Sequence, residues 1–319
     1  MDTNKMEKLN IRLHRIPLPF RLNHVNTWLV KEEHGYTVID TGLNHPDAEA
    51  AWAKVLAEHP IRSIIITHYH PDHYGYAGRL QALTGAEVWM SKRDQEMARE
   101  IWSHKRLTLF EQHYLACGLS KELARRLSEN ITGFSRYVLP HPEVTRFLAD
   151  GDELELGGHR YEVIAVPGHA EGMLNFYNRE HGLLIAADHV LPKITPNISY
   201  WFMGEPNPLA RYLQSLNKIQ AYPIQLVLPS HGSPFTNVQQ RIDEIISHHQ
   251  KRLDLALAAT RQPATVYEVN EQLFSQGLTE HELRFAIGET IAHLEYLVYK
   301  QQVRKFMKDG QWFYERVSD

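Results

Sequence analysis

The sequence predicts a layered α/β protein whose functional side chains lie at the ends of its strands. Strand-like and helical stretches alternate between residues 11 and 90. Three consecutive isoleucines, Ile64 to Ile66, indicate a short buried strand. Metal-ligating types of side chain follow that strand directly. Active residues placed after the strands of an alternating pattern are typical of an α/β fold.

The first ninety residues supply most of this alternation. The segment Lys31 to Gly35 is predicted to be a hairpin turn, because Gly35 adopts a positive φ without strain. Residues 44–58 carry an apolar stripe at helical spacing behind Asp47, which favours a helix. The remaining predicted elements are strands at 11–16, 25–30, 36–40 and 87–90 and a helix over 75–83.

Residues 91–130 interrupt the alternation and are predicted to form three helices, over 91–102, 107–116 and 120–127. An insert between sheet strands is a common place for a substrate wall, which favours a lid. The alternative is a solvated helical surface, because the basic residues of this segment are spread among acidic ones.

The C-terminal part differs in character from the rest of the chain. A helix over 209–219 precedes the last strand-like run, and 238–259 is predicted to be one long amphipathic helix. Helices follow over 265–273 and 279–299, the second with a capping box at Thr279, and then a hairpin turning at Asp309-Gly310. We therefore predict a catalytic domain over 1–237, and a linker helix with a small domain over 238–319.

The stretch His68-x-His70-x-Asp72-His73 carries the strongest chemical signal. In an extended segment His68 and His70 lie on the same side, since side chains alternate with period two. Pro71 then turns the chain, so that Asp72 and His73 can address a second point. One loop can thus supply ligands to two metal ions.

Further ligand-type residues end later strand-like runs. Residues 161–166 lead to His169, residues 182–187 to Asp188, and residues 224–230 to His231. With residues 36–42, which end in Asp40-Thr41-Gly42, these motifs resemble the metallo-β-lactamase superfamily over residues 12–235. The resemblance implies an αββα sandwich with a helical insert. One branch of the superfamily also appends a winged-helix domain, which the C-terminal order of helix, helix and hairpin resembles.

The resemblance also implies a ligand set for two Zn²⁺ ions per chain, which iron or manganese could replace. One site would use His68, His70 and His169, the other Asp72, His73 and His231, and Asp188 would bridge them. A hydroxide shared by two ions can attack a carbonyl or phosphoryl group, and Asp72 would orient it as the catalytic residue. Asp40 either orients a metal-bound histidine or only caps a turn.

Composition limits the classes of partner. The chain has 319 residues and a formal net charge of −4, which gives no indication of a nucleic-acid or membrane partner. The polar N-terminus and the absence of an apolar run of about 18 residues predict a cytoplasmic protein without a membrane span. The single cysteine, Cys117, is expected to be a packing residue. The oligomeric state stays open, a homodimer being one option.

These observations predict a dinuclear zinc hydrolase of small ester, lactone or thioester substrates. The alternative is an endoribonuclease acting on single-stranded RNA, and a third option is a binding protein with an inactive site. Residues 169–173, His-Ala-Glu-Gly-Met, lack the additional histidine that glyoxalase II-type thioesterases carry after this ligand. Strict hydrolysis of glutathione thioesters is therefore not predicted.

Overall fold

The computed structural model describes residues 3–103, 106–274 and 277–317, which divide into two compact units. The first unit comprises Met1–Trp102, Phe134–Pro196 and Ser215–Ile242. The second comprises Ser103–Gly133, Asn197–Gln214 and Asp243–Asp319. Most of the helical insert thus groups with the C-terminal residues, and its role as a lid stays a prediction.

The first unit contains a mixed six-stranded sheet whose spatial order equals its chain order. The first three strands pair antiparallel and the later ones parallel. Gly35 turns the chain between the second and third strands with φ 141°, and a Cβ there would lie 2.4 Å from the Pro60 carbonyl oxygen. Only glycine fits this turn, as predicted. The strands are β1 (Ile11–Pro17), β2 (His24–Glu32), β3 (Gly35–Ile39), β4 (Ile61–Ile65), β5 (Glu87–Met90) and β6 (Arg146–Phe147).

A second, five-stranded sheet of the first unit has the order β11-β10-β9-β8-β7. Its strands are β7 (Glu153–Leu156), β8 (His159–Ala165), β9 (Leu174–Asn178), β10 (Leu183–Ala187) and β11 (Leu226–Pro229). Strands β7 and β9 were not predicted from the sequence. Strand β9 is buried along its whole length but carries Asn175 and Asn178, so it shows neither an apolar run nor an alternation.

A hydrophobic core of the first unit lies between these two sheets. Ile39 and Ile65 from the first sheet and Val163, Phe176 and Ile185 from the second belong to one buried cluster. Each such side chain contributes roughly 1.5–3 kcal/mol when fully buried. This arrangement, with helices beside it, confirms the predicted sandwich. The helices are α1 (Thr3–Lys8), α2 (Pro46–Glu58), α3 (Pro71–Tyr74), α4 (Ala77–Thr84), α5 (Lys92–Ile101) and a 3₁₀ helix (Phe134–Tyr137).

The second unit combines helices with a three-stranded sheet of order β12-β14-β13. The predicted capping box is present at Thr279, and a second one begins at Thr265. The predicted helices and hairpin are confirmed, whereas the winged-helix class stays a prediction. The elements are α6 (Leu107–Ala116), α7 (Lys121–Gly133), β12 (Ala264–Thr265), α10 (Val266–Leu273), α11 (Glu280–Tyr299), β13 (Val303–Lys308) and β14 (Gln311–Arg316).

Two helices, α8 (Pro208–Gln220) and α9 (Val238–Ala259), contribute residues to both units. The long helix has the predicted bounds. In the second unit Cys117 is fully buried, and this burial raises the pKa of its thiol far above the ordinary value. A thiol in this state is a poor nucleophile, as expected for a packing residue. Within the described ranges, no helix is both long and apolar enough to cross a bilayer.

Candidate metal centre

The seven predicted ligands converge at strand ends in the first unit. His68, His70 and His169 each offer a ligand atom within 4.8 Å of the others. The same limit holds for Asp72, His73 and His231, and for the trio of His68, His73 and Asp188. The structure therefore brings together the two groups that the resemblance implied. That they hold metal stays a prediction.

The loop after β4 separates the two groups by a change of backbone direction. His70 is extended, with φ −64° and ψ 149°, and precedes α3 as its N-cap residue. Pro71 takes the first helical position, where its missing N–H costs nothing. Asp72 and His73 then lie in the helical turn, so their side chains leave the chain in a different direction from those of His68 and His70.

Hydrogen bonds fix the tautomer of three of the histidines. His73 Nδ1 donates to Asp40 Oδ2 at 2.8 Å, and His231 Nδ1 donates to the His24 carbonyl oxygen at 2.8 Å. Thr67 Oγ1 gives its own proton to Asp40, so it accepts from His68 Nδ1 at 3.0 Å. In its neutral form each ring therefore presents its Nε2 lone pair to a metal ion.

The Nε2 atoms of these three histidines fit a metal site. The Nε2 atoms of His68, His73 and His231 are buried, and none has a hydrogen-bond partner within the described residues. Asp188 lies between the two groups, with Oδ2 3.4 Å from His169 Nε2 and 3.5 Å from His73 Nε2. Buried polar atoms without partners are costly, and coordinating an ion would satisfy them.

The electrostatics of the two groups differ. Burial lowers the pKa of His68 and of His70 well below the ordinary value, so both are neutral. Burial would also lower the pKa of His231, but the Asp188 carboxylate next to it raises this pKa to about 10. The pKa of His73 is likewise raised, above all by Asp72. In the metal-free chain His73 and His231 are thus protonated, and metal binding must displace those protons.

The sequence left two roles open for Asp40, which either orients a metal-bound histidine or caps a turn. Its carboxylate accepts from His73 Nδ1, from Thr67 Oγ1 at 2.8 Å and from the Thr67 backbone N–H at 2.9 Å. It is buried and stands at φ 63°, a strained conformation for a residue other than glycine. The structure places Asp40 against His73, as the first of the two interpretations requires.

Asp94 is a positioning residue that the sequence analysis missed. Its buried carboxylate accepts the Tyr69 N–H at 3.2 Å with Oδ2 and the Gly172 N–H at 2.5 Å with Oδ1. A Cβ on Gly172 would lie 2.2 Å from Ser91 Oγ, so the loop of Gly172 packs against the start of α5 too closely for a side chain. Asp94 thereby ties the loop of His68 and His70 to the loop of His169. Its place in the first turn of α5, three residues after the N-cap Ser91, was the only sequence signal for it.

We expect Asp94→Asn to weaken metal binding about 10-fold, mainly in the group of His68, His70 and His169. The asparagine amide offers one acceptor oxygen, so the backbone N–H of either Tyr69 or Gly172 would face its NH₂ group. Zinc titration monitored by calorimetry measures the change. The control is Asp150→Asn, where an exposed carboxylate accepts the Ala165 N–H at 2.7 Å. Equal zinc affinities in Asp94→Asn and wild type would contradict this role.

The fold and this cluster together define a metallohydrolase. The family comparison agrees: residues 21–231 match the metallo-beta-lactamase superfamily, and residues 253–317 match the metallo-beta-lactamase-like C-terminal domain. The chain belongs to the metallo-beta-lactamase superfamily.

Individual relatives are similar over nearly the whole chain. A probable metallo-hydrolase of Bacillus subtilis is 25% identical, over 95% of this chain and 97% of its own length. The crystal structure of a metallo-beta-lactamase family protein from Thermus thermophilus is 31% identical, with TM-score 0.84, over 97% of this chain and 99% of that one. An atrochrysone carboxyl ACP thioesterase of Aspergillus fumigatus is 22% identical, over 84% of this chain and 72% of its own length. This chain is an enzyme, a metallohydrolase.

Proposed function

We propose that this metallohydrolase is a dinuclear zinc enzyme that cleaves small ester, lactone or thioester substrates. The observation that carries the proposal is the position of Asp188, whose carboxylate lies within 3.5 Å of His169 from one group and of His73 and His231 from the other. Imidazole and carboxylate donors without thiolate suit zinc, although iron and manganese also accept them.

When bound, two ions would lower the pKa of a shared water and polarise a substrate carbonyl. The chain itself would hold the ring nitrogens in their ligand tautomer through Asp40, Thr67 and the His24 carbonyl oxygen. Asp72 is the partly exposed carboxylate of the cluster, with 21% of its side chain accessible. We assign it the orientation of the attacking water, from which its carboxylate would accept a hydrogen bond.

An acyl substrate is favoured over RNA by the charges of the second unit. Lys305 Nζ donates to Glu295 Oε1 at 2.6 Å, and Arg304 Nε donates to Glu315 Oε2 at 2.7 Å. Arg126 forms an ion pair with Glu280. Cations that are paired in this way offer no concentrated positive surface for phosphates. The thioesterase named among the relatives also supports acyl chemistry.

The test is a panel of esters, lactones, thioesters and labelled single-stranded RNA, offered to zinc-loaded protein. We expect hydrolysis of an acyl substrate that is lost on chelation and restored by Zn²⁺, with the RNA left intact. Acyl hydrolysis that survives full chelation would contradict the zinc mechanism. Cleavage of RNA alone would replace this proposal by the ribonuclease function.

A further inference from the structure

The second unit buries another group of side chains of metal-ligating types, which takes no part in the proposed hydrolysis. His249 lies on α9, and Glu289 and His293 lie on α11. Each offers one ligand atom, and these atoms lie within 4.8 Å of one another. Both histidines are fully inaccessible, and Glu289 is 9% exposed. We call these three residues the α9–α11 cluster.

The local geometry of the cluster is that of preformed ligands. Glu289 and His293 are four residues apart on one helix, so their side chains lie on the same face. His293 Nδ1 donates to the Glu289 backbone carbonyl oxygen at 2.7 Å, which places the ring's lone pair on Nε2, the atom that faces His249. Asn197 Nδ2 donates to Glu289 Oε2 at 2.9 Å and so orients the carboxylate.

The imidazole nitrogens of His249 and His293 are about as close to each other as those of two predicted ligands at the candidate metal centre. His249 Nδ1 lies 3.2 Å from His293 Nε2, and at that centre His70 Nδ1 lies 2.9 Å from His169 Nε2. Two nitrogens bound to one tetrahedral zinc at its usual bond length are about 3.4 Å apart. A small movement of the side chains would therefore admit an ion.

The charges of the cluster also suit a cation. Within the described residues no ion pair is formed by Glu289. Burial raises the pKa of its carboxyl to about 7, and the charge of the Arg252 guanidinium opposes this rise only in part. Burial lowers the pKa of His249 to about 2 and that of His293 to about 4, so both rings are neutral donors. A buried carboxylate without a directly paired cation is costly, and a divalent ion between these ligands would lower that cost.

We propose that His249, Glu289 and His293 bind one zinc ion, in addition to the two expected at the candidate metal centre. Two histidines and one glutamate form a recognised set of protein ligands for zinc, with a fourth position left for water. The ion would join α9 to α11 inside the second unit and stabilise that unit. A hydrogen bond between the two rings without any ion is the competing explanation.

Crystals of the full-length protein grown with Zn²⁺ allow a direct test by anomalous diffraction at the zinc edge. We expect a peak bounded by His249 Nδ1, His293 Nε2 and the Glu289 carboxylate, together with peaks at the centre in the first unit. Peaks at that centre with none in the cluster would overturn the proposal. Because the two positions are seen independently, failure of one is distinguishable from failure of the other.

Metal content provides a second test in solution. We expect three zinc ions per chain in the wild type and two in His293→Gln. The matched control is His159→Gln, from a trio of the same composition, His159, Glu180 and His181, that is accessible to solvent. This control should keep three ions.

Glu289→Gln is the second variant, for use if His293→Gln does not fold, because it preserves the size of the side chain. We expect it to bind zinc at least 10-fold more weakly in the cluster. Unchanged zinc content and affinity in these variants would overturn the proposal.

Discussion

Asp72→Ala is expected to remove nearly all hydrolysis while the fold survives. The Asp72 carboxylate lies 3.3 Å from His231 Nε2 and 3.6 Å from His73 Nε2, where it would be a ligand of the proposed second ion. Residues that only support a ligand typically change activity or metal affinity about 10–100-fold, and a direct ligand should cost at least the upper value. Because the side chain is partly exposed, its loss leaves no large cavity.

The chain contains a closely matched control for this variant. Asp72 follows His70 and Pro71 in the first turn of α3, and Asp47 follows His45 and Pro46 in the first turn of α2. Asp47→Ala therefore removes a carboxylate from the same tripeptide at an exposed position. Measurements of kcat/KM, zinc content and thermal unfolding should separate the two variants. Activity of Asp72→Ala within a few-fold of wild type, at unchanged zinc content, would rule out the role.

Asp40→Asn is expected to lower zinc affinity and activity by about 10–100-fold. The carboxylate accepts hydrogen bonds from three donors, His73 Nδ1, Thr67 Oγ1 and Thr67 N. An asparagine whose oxygen accepts from Thr67 turns its NH₂ group toward His73. His73 Nδ1 must then accept instead of donate, which places the proton on Nε2 and removes the lone pair that a metal needs.

The nitrogen chemical shifts of the His73 ring report this change of tautomer directly, and a purely structural role for Asp40 would not produce it. The control is Asp152→Asn, because Asp152 caps an exposed turn by accepting the Ala149 N–H at 2.8 Å. If Asp40 only caps a turn, the two variants should behave alike in zinc affinity, and the His73 tautomer should be the same as in wild type.

The sequence by itself determined the class of fold and the identity of the candidate ligands. The isoleucine run before His68 and the strand-like runs before His169, Asp188 and His231 are local patterns, and local patterns predict strand ends. The long helix α9 and both strands of the C-terminal hairpin were likewise evident from periodicity and turn residues. In each case neighbouring residues along the chain carry the information.

Only the tertiary structure decided the contacts that orient those ligands. Asp40 meets His73 across 33 positions of the chain, and Asp94 reaches Gly172 across 78. Strand β9 was not predicted because its two asparagines interrupt the apolar pattern. They are buried only because neighbouring strands cover them. Likewise, His249 and His293 carry no signal on their separate amphipathic helices until packing brings their rings together. A helical or strand period specifies which face of an element is buried, but the partner on that face is fixed only when distant segments pack.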